Sequence, residues 1–231
     1  MLFDLRSKRR RSAVRVVYVF LALIMLSGLV LVGVGTGNNN GGLLNAFTNN
    51  GSNSGQFQAV DQAIKSAIKQ TQKTPNSASA WSTLLGARYS AASTGTNYNS
   101  TTGEYSKGGK DQLKAGVAAW QKYLSVTHDK PEVGVSILAA HIYQALGQWG
   151  DASTTWQYVI ASEGPGTANA AKGYLCTALT SYAAGYKSKG ALAGAEALKL
   201  SPKASQLELK SDLTAAKGSA STAQTYASSE C

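Results

Sequence analysis

The sequence predicts an all-α protein in three parts: an N-terminal transmembrane helix, a flexible linker and a domain of repeated helical hairpins. Three observations support this prediction. An uncharged apolar run of 19 residues follows a basic N-terminus, an Asn/Gly-rich stretch comes next, and the remainder places apolar residues at helical spacing between short breakers. A length of 231 residues suits one globular domain with extensions.

The first element is a basic head followed by a predicted membrane anchor. Residues 1–15 contain six basic side chains and one acid, and residues 16–34 (VVYVFLALIMLSGLVLVGV) contain no charge. A helix of this length spans about 29 Å, close to the ~30 Å hydrocarbon core of a bilayer. The charge asymmetry predicts a single-pass protein of the cell membrane, with residues 1–15 cytoplasmic and the C-terminal domain extracytoplasmic. The alternative is a cleaved secretory signal, which would release the domain.

A linker and a helical domain follow the anchor. Residues 35–55 are rich in Asn and Gly and bury little apolar surface, which predicts a flexible linker. The helical domain is predicted at 56–217, with a polar, turn-rich insertion at 90–109 and a polar tail at 218–231. Its helices are predicted at 56–73, 76–89, 110–127, 132–147, 151–162, 167–184, 189–200 and 203–217.

The helices pair as hairpins that repeat every 34 to 38 residues or so, most clearly at 133–164. The small, aromatic and turn residues of this hairpin are Ser136, Ala140, Tyr143, Gly147, Trp149, Ala152, Trp156, Val159 and Gly164. Their spacing resembles the tetratricopeptide repeat, which needs small residues where two helices approach and aromatic residues to fill the gaps. The neighbouring hairpins match the pattern in part, so the resemblance covers roughly residues 75–202.

The layout of the whole sequence carries a second resemblance. The opening MLFDLRSKRRR, the apolar run and the segment GGLLNAF are similar to a family of actinobacterial membrane-anchored repeat proteins. That resemblance implies a single span in a bacterial envelope and an extracytoplasmic helical domain, and it supplies no reaction. The order of the parts is also similar to that of anchored periplasmic repeat proteins that attend the Sec translocon, by architecture alone.

The tetratricopeptide resemblance implies a binding groove. In such repeats the first helix of each hairpin lines a concave face that takes an extended or helical peptide. The alternative is that the hairpins only pack together and expose a featureless face. Carried onto the matching positions, the groove candidates are Tyr89, Ile137, His141, Gln144, Lys172, Leu179 and Tyr182.

Charge and motif content argue against nucleic-acid binding and catalysis. The net charge of +10 divides into +5 for residues 1–15 and +5 for the other 216, where Arg88 is the only arginine. Bidentate guanidinium groups read bases and phosphates best, so this region is poorly equipped for nucleic acid. His128-Asp129 lies at a turn and His141 within a predicted helix, with no catalytic motif beside them. We predict no catalytic, cofactor or metal site.

The sequence contains two cysteines, Cys176 and Cys231. Cys176 lies in the middle of a predicted helix beside Leu175 and Leu179, which is typical of a small core residue. Cys231 ends the polar segment SASTAQTYASSEC. This segment either folds back to bridge Cys176, pairs with another chain, or leaves both thiols unpaired.

The sequence therefore favours a membrane-anchored extracytoplasmic repeat protein that binds another protein, as a scaffold or chaperone-like adaptor of the cell envelope. Two alternatives stay open. One is a structural spacer of the envelope. The other is an envelope enzyme with a site near the 90–109 insertion, where Glu104 and Lys107 are the only charged residues.

Overall fold

Nine α-helices and one short β-hairpin make up the part of the chain that the computed structural model describes, residues 53–164 and 167–231. The all-α prediction is confirmed for this part, apart from the hairpin. The strands, which pair antiparallel, are β1 (Tyr98–Asn99) and β2 (Glu104–Tyr105). The helices are α1 (Asn53–Lys73), α2 (Ala78–Ala92), α3 (Lys107–Thr127), α4 (Val133–Ala145), α5 (Trp149–Glu163), α6 (Ala168–Ala183), α7 (Lys187–Leu200), α8 (Gln206–Gly218) and α9 (Ala220–Glu230).

The predicted N-terminal elements fall largely outside the described residues. These are the basic head at 1–15, the anchor at 16–34 and most of the linker at 35–55. Helix α1 begins at Asn53, so the linker ends slightly earlier than predicted. None of the described helices combines the length and the apolarity that a membrane span requires. Residues Phe57–Cys231 form one compact unit, which contains the candidate site.

Side-chain caps and glycines set the helix ends. The hydroxyl of Thr167 accepts a hydrogen bond from the backbone N–H of Ala170 at 3.0 Å and so caps α6. Ser219 caps α9 in the same way. Gly147 (φ 71°) follows α4 and Gly185 (φ 81°) follows α6, both in the left-handed conformation that glycine adopts without strain. Both glycines lie where the predicted hairpins turn.

The helices pair into three consecutive hairpins, α2 with α3, α4 with α5 and α6 with α7. Small side chains occupy the close approaches, since Ala140 and Ala152 are fully buried. Aromatic side chains fill the wider gaps: Trp120 is 2% exposed and its ring stacks on that of Tyr123, with centroids 5.7 Å apart. Small side chains therefore allow the helices to approach closely, and large aromatic side chains fill the space where the helices lie further apart.

The insertion predicted at 90–109 is shorter and more ordered than expected. Helix α2 continues to Ala92 and α3 already begins at Lys107, where the hydroxyl of Ser106 caps it. Between these two helices, β1 and β2 pair with Tyr98 opposite Tyr105. The turn between the strands contains Gly103, whose φ is 72°. Two-residue strands leave almost no alternation in the sequence, so the polar composition hides this hairpin.

The polar tail at 218–231 is also more structured than expected. No helix is predicted there, yet Ala220–Glu230 forms α9 and packs against α6 and α8. Ala223 and Ala227, one helical turn apart, are both fully buried. Ser and Thr lower the intrinsic helix propensity of this segment, so tertiary contacts stabilise a helix that local preference does not predict.

Candidate functional site

The groove candidates lie on α2, α4 and α6, the first helices of the three successive hairpins. Helix α9 packs against α6, its last turn reaches α4, and it covers part of the surface that the sequence leaves open. We call the covered side of α4 and α6 the inner face. An uncovered cleft remains beside α9, between α2, the β-hairpin and α4. The candidates therefore divide into those under or beside α9, those in the cleft and those in the core.

A disulfide joins the inner face to α9. Cys176, in the middle of α6, is fully buried and bonds to Cys231, with Cα atoms 5.7 Å apart. Ile137 of α4 packs in the same small cluster, which also contains Trp156 and Cys231. Ile137 is therefore half-buried in this cluster rather than fully exposed on an open groove.

Polar groups of the inner face converge on the last turn of α9. The Nε2 atom of His141 hydrogen-bonds the main-chain oxygen of Cys231. The side-chain amide of Gln144 donates to the carbonyl oxygen of Ala227 at 3.5 Å. The ammonium of Lys172 lies 3.8 Å from the carboxylate of Glu230. Cationic and donor groups suit this position, because carbonyl oxygens at a helix C-terminus lack partners and carry partial negative charge.

Two candidates, Leu179 and Tyr182, are not surface residues. Leu179 is 1% exposed and Tyr182 is 6% exposed, both within a cluster that includes alanines of α9. The ring of Tyr182 lies against Gly190 of α7, because the missing side chain there leaves room for it. Burial raises the pKa of Tyr182 above its ordinary value of 10.0. Both side chains are therefore buried in the structure and do not line an open groove.

The cleft gathers the remaining candidates. It has a volume of about 660 Å³, and Tyr89 of α2 with His141 and Gln144 of α4 form one wall. Tyr98 and Tyr105 of the β-hairpin also line it, with ring centroids 4.8 Å apart. Three tyrosines, an imidazole and a primary amide therefore surround one open space.

The side chains that line the cleft carry little net charge. Burial raises the pKa of Tyr89, with Tyr105 as the next contributor, so its hydroxyl stays protonated at neutral pH. Lys110 and Glu104 lie at the rim, both exposed and of opposite sign. Neutral hydroxyl and amide groups can hydrogen-bond a peptide backbone, and aromatic faces can hold its side chains. The composition suits a polypeptide better than a highly charged ligand.

Sequence reasoning missed the second half of the cleft. Tyr98, Tyr105 and Lys110 are not among the groove candidates, and neither is Ser228, which borders the cleft from α9. The sequence does indicate the two tyrosines, since one lies on each side of the glycine at which the β-hairpin turns. For α9, the signal is the spacing of Ala223, Ala227 and Cys231 by four residues.

The His128-Asp129 pair lies outside the cleft, where α3 ends. His128 and Asp129 both adopt positive φ, 50° and 57°, where α3 ends, and both side chains are exposed. Within the described residues, no group of three or more His, Cys, Asp and Glu side chains is placed to hold a metal ion.

Comparison with known proteins finds no match to this chain among family models, curated proteins or solved structures. The inner face and the cleft are therefore interpreted from their own residues.

Proposed function

We propose that this protein is a membrane-anchored, extracytoplasmic scaffold or chaperone-like adaptor of the cell envelope. Its tetratricopeptide-like domain binds another protein and takes an extended segment of that protein in the cleft. The observation on which the proposal rests is the convergence of Tyr89, Tyr98, Tyr105, His141 and Gln144 around one open space.

The size and lining of the cleft support binding of a polypeptide segment. A volume of about 660 Å³ falls within the range of about 300–1,000 Å³ that is usual for ligand sites. Tyrosine is enriched at protein interfaces because it combines a large rigid contact area with a hydroxyl. The side-chain amide of Gln144 can pair with a backbone N–H or C=O, whatever the sequence of the bound segment.

The packing of α4 and α5 supports the tetratricopeptide-like interpretation. The resemblance requires small residues at Ala140 and Ala152 and an aromatic residue at Trp156. All three are buried, with exposed fractions of 0%, 0% and 2%. In such an arrangement the first helices of successive hairpins share one face, and Tyr89, His141 and Gln144 do border one cleft.

The charge pattern and the disulfide support the extracytoplasmic placement. The uncharged run at 16–34 is long enough to span a bilayer, and the basic residues precede it. Disulfides persist in oxidising compartments and are rare in the cytoplasm, and Cys176 and Cys231 are bonded.

Site-specific photo-crosslinking in intact cells tests the proposal. We expect a photoreactive phenylalanine analogue at Tyr98 to capture a defined partner protein, and the same analogue at Leu207, an exposed residue of α8, to capture none. Tyr98→Ala should then weaken capture by about thirtyfold, the usual loss for a hot-spot aromatic residue. Tyr186→Ala is the matched control, because Tyr186 is 53% exposed and lies outside the cleft.

Equal capture by the Tyr98 and Tyr186 variants, with both proteins folded, would remove the cleft as the binding site. Absence of any partner at Tyr98 would instead favour the structural spacer.

A further inference from the structure

Helix α9 contacts the domain in the way that a bound ligand would. Its two fully buried side chains, Ala223 and Ala227, are among the smallest available, and Tyr226 is half-buried. The rest of its surface is mainly Ser, Thr and Gln and faces solvent. A helix of 11 residues is not stable alone in water, so its helical state depends on the inner face and on α8.

The inner face contributes specific polar groups to this contact. His141, Gln144 and Lys172, from two different helices, all contact the last turn of α9. The two hydrogen bonds are only partly buried, and the side chains of Lys172 and Glu230 are 47% and 55% exposed. The face therefore recognises the C-terminal end of a helix through contacts that water can replace at small cost.

The disulfide is the strongest link between α9 and the inner face. Its two ends differ in access, because Cys176 is fully buried while Cys231 is half-buried and borders the cleft. At its other end α9 connects to α8 through Ser219 alone, which adopts extended backbone angles (φ −145°, ψ 125°). A helix joined at one hinge residue and one reducible bond can leave the face, at the cost of its packing against α6 and α8.

We propose that α9 is an exchangeable occupant of the inner face, and that reduction of the Cys176–Cys231 disulfide opens this face to a helix of a partner protein. The proposal rests on the proposed function, because it supplies the adaptor with a second, redox-controlled docking surface beside the cleft.

The reductant is a protein or small molecule with two thiols. Its first thiolate attacks the sulfur of Cys231, forming a mixed disulfide and releasing Cys176 as a thiolate, which takes up a proton. Its second thiol then attacks the mixed disulfide, so that Cys231 leaves as a thiol and the reductant becomes a disulfide. Two electrons and two protons pass to the cysteines, and α9 keeps Ser219 as its only covalent connection to the domain.

The chemistry of the partner helix follows from what α9 presents. It carries small residues four positions apart, matching Ala223 and Ala227, because larger side chains have no room there. It carries an acidic residue in its last turn, matching Glu230 opposite Lys172. Its last carbonyl oxygens meet His141 and Gln144.

Fluorescence anisotropy with the full chain in detergent micelles tests the exchange. The probe is a labelled synthetic peptide of residues 219–231 with Cys231→Ser. The receptor is an open chain that carries Cys231→Ser with Ala223→Arg and Ala227→Arg, changes that expel its own α9. We expect the open chain to bind the probe about tenfold or more tightly than the oxidised wild type, because the tethered helix no longer competes. Wild type treated with dithiothreitol should fall between the two.

A matched peptide and a matched variant define the specificity. The same probe with Ala223→Arg and Ala227→Arg should not bind the open chain, and Lys172→Ala should weaken binding of the original probe. Tyr98→Ala should leave probe binding unchanged, so a failure of this proposal and a failure of the cleft are distinguishable. Equal binding of the probe by open and oxidised chains, or equal binding of both peptides, would overturn the proposal.

Hydrogen exchange on the wild-type chain gives a second measurement that does not depend on the arginine variants. Reduction should raise the exchange of backbone amides in 220–230 while α4, α5, α6 and α7 keep their protection. If these four helices lose protection together with α9, then α9 is a fixed part of the core and the proposal is wrong. A disulfide-linked dimer after reoxidation would show that the incoming helix is α9 of a second copy, which would overturn its assignment to a partner protein.

Discussion

Adding one methyl group at Gly190 tests the packing beneath the inner face. A Cβ atom at this position would lie 2.5 Å from two ring carbons of Tyr182, well inside the contact distance of carbon atoms. Tyr182 is 6% exposed and has little room to move away. We expect Gly190→Ala to lower the free energy of unfolding by roughly 1–3 kcal/mol through overpacking. The helix preference of alanine offsets this loss by about 0.5–1 kcal/mol.

Gly86→Ala is the matched control, because it makes the same change within α2. No atom lies within 4 Å of a Cβ added at Gly86, so only the helix preference remains. This variant should gain about 0.5–1 kcal/mol. Urea denaturation of residues 56–231, followed by far-UV circular dichroism, measures both changes.

The two variants should therefore shift the urea midpoint in opposite directions. If Gly190→Ala stabilises the domain as much as Gly86→Ala does, then Tyr182 moves freely and the contact between α6 and α7 is not tightly packed. That result would refute the assignment of Tyr182 to the core and return it to the list of groove residues.

Three further predictions concern the core, the disulfide and the tyrosines. Ala152→Leu should cost roughly 1–3 kcal/mol in the same denaturation assay, because Ala152 is fully buried where α5 packs on its neighbours; an unchanged midpoint would contradict the hairpin register. Cys231→Ser should cost about 4 kcal/mol, since the disulfide closes a loop with a sequence separation of 55 residues; equal midpoints with and without reductant would contradict this. Burial raises the pKa of Tyr89 above 10.0, so its contribution to stability is present below pH 10 and is lost as the pH rises above it. Tyr89→Phe should reduce that loss when unfolding is measured on either side of pH 10, and an identical pH profile would contradict it.

The hairpin at 133–164 could be predicted because local signals and packing agree there. Gly147 ends α4 as expected, and Ala152 and Trp156 are buried as the spacing indicates. The boundaries differ by one or two residues: α4 ends at Ala145 and α5 begins at Trp149. Helix ends depend on backbone contacts that the apolar pattern does not record.

The burial and contacts of the groove candidates could not be predicted, because they depend on a segment whose composition does not predict a helix. Residues 219–231 are mostly Ser, Thr and Ala, and nothing in their order fixes where they dock. Once α9 lies on α6, Leu179 is enclosed and Lys172 has an acidic partner in Glu230. A long-range bond between two cysteines determines this arrangement, and periodicity carries no information about it.

Only the helical residues of the cleft could be predicted from the sequence, because its other residues also depend on long-range or non-helical contacts. Tyr89, His141 and Gln144 lie on helices whose register follows from the hairpin pattern. Tyr98 and Tyr105 reach the same space only because β1 and β2 pair, which depends on a few backbone hydrogen bonds in a polar stretch. Composition alone assigned that stretch to a loop.

The Cys176–Cys231 bond also determines how the chain would respond to mechanical tension. If one end is held by a membrane and a pulling force acts through Cys231, the force passes directly from Cys231 to Cys176. The chain between these positions, residues 177–230, then bears no load, which withholds about 190 Å of extended chain from stretching. The second half of α6 and helices α7, α8 and α9 then carry no tension, while α1 to α5 and the first half of α6 do. Reduction of this disulfide would therefore alter the extensibility of the protein as well as its contacts.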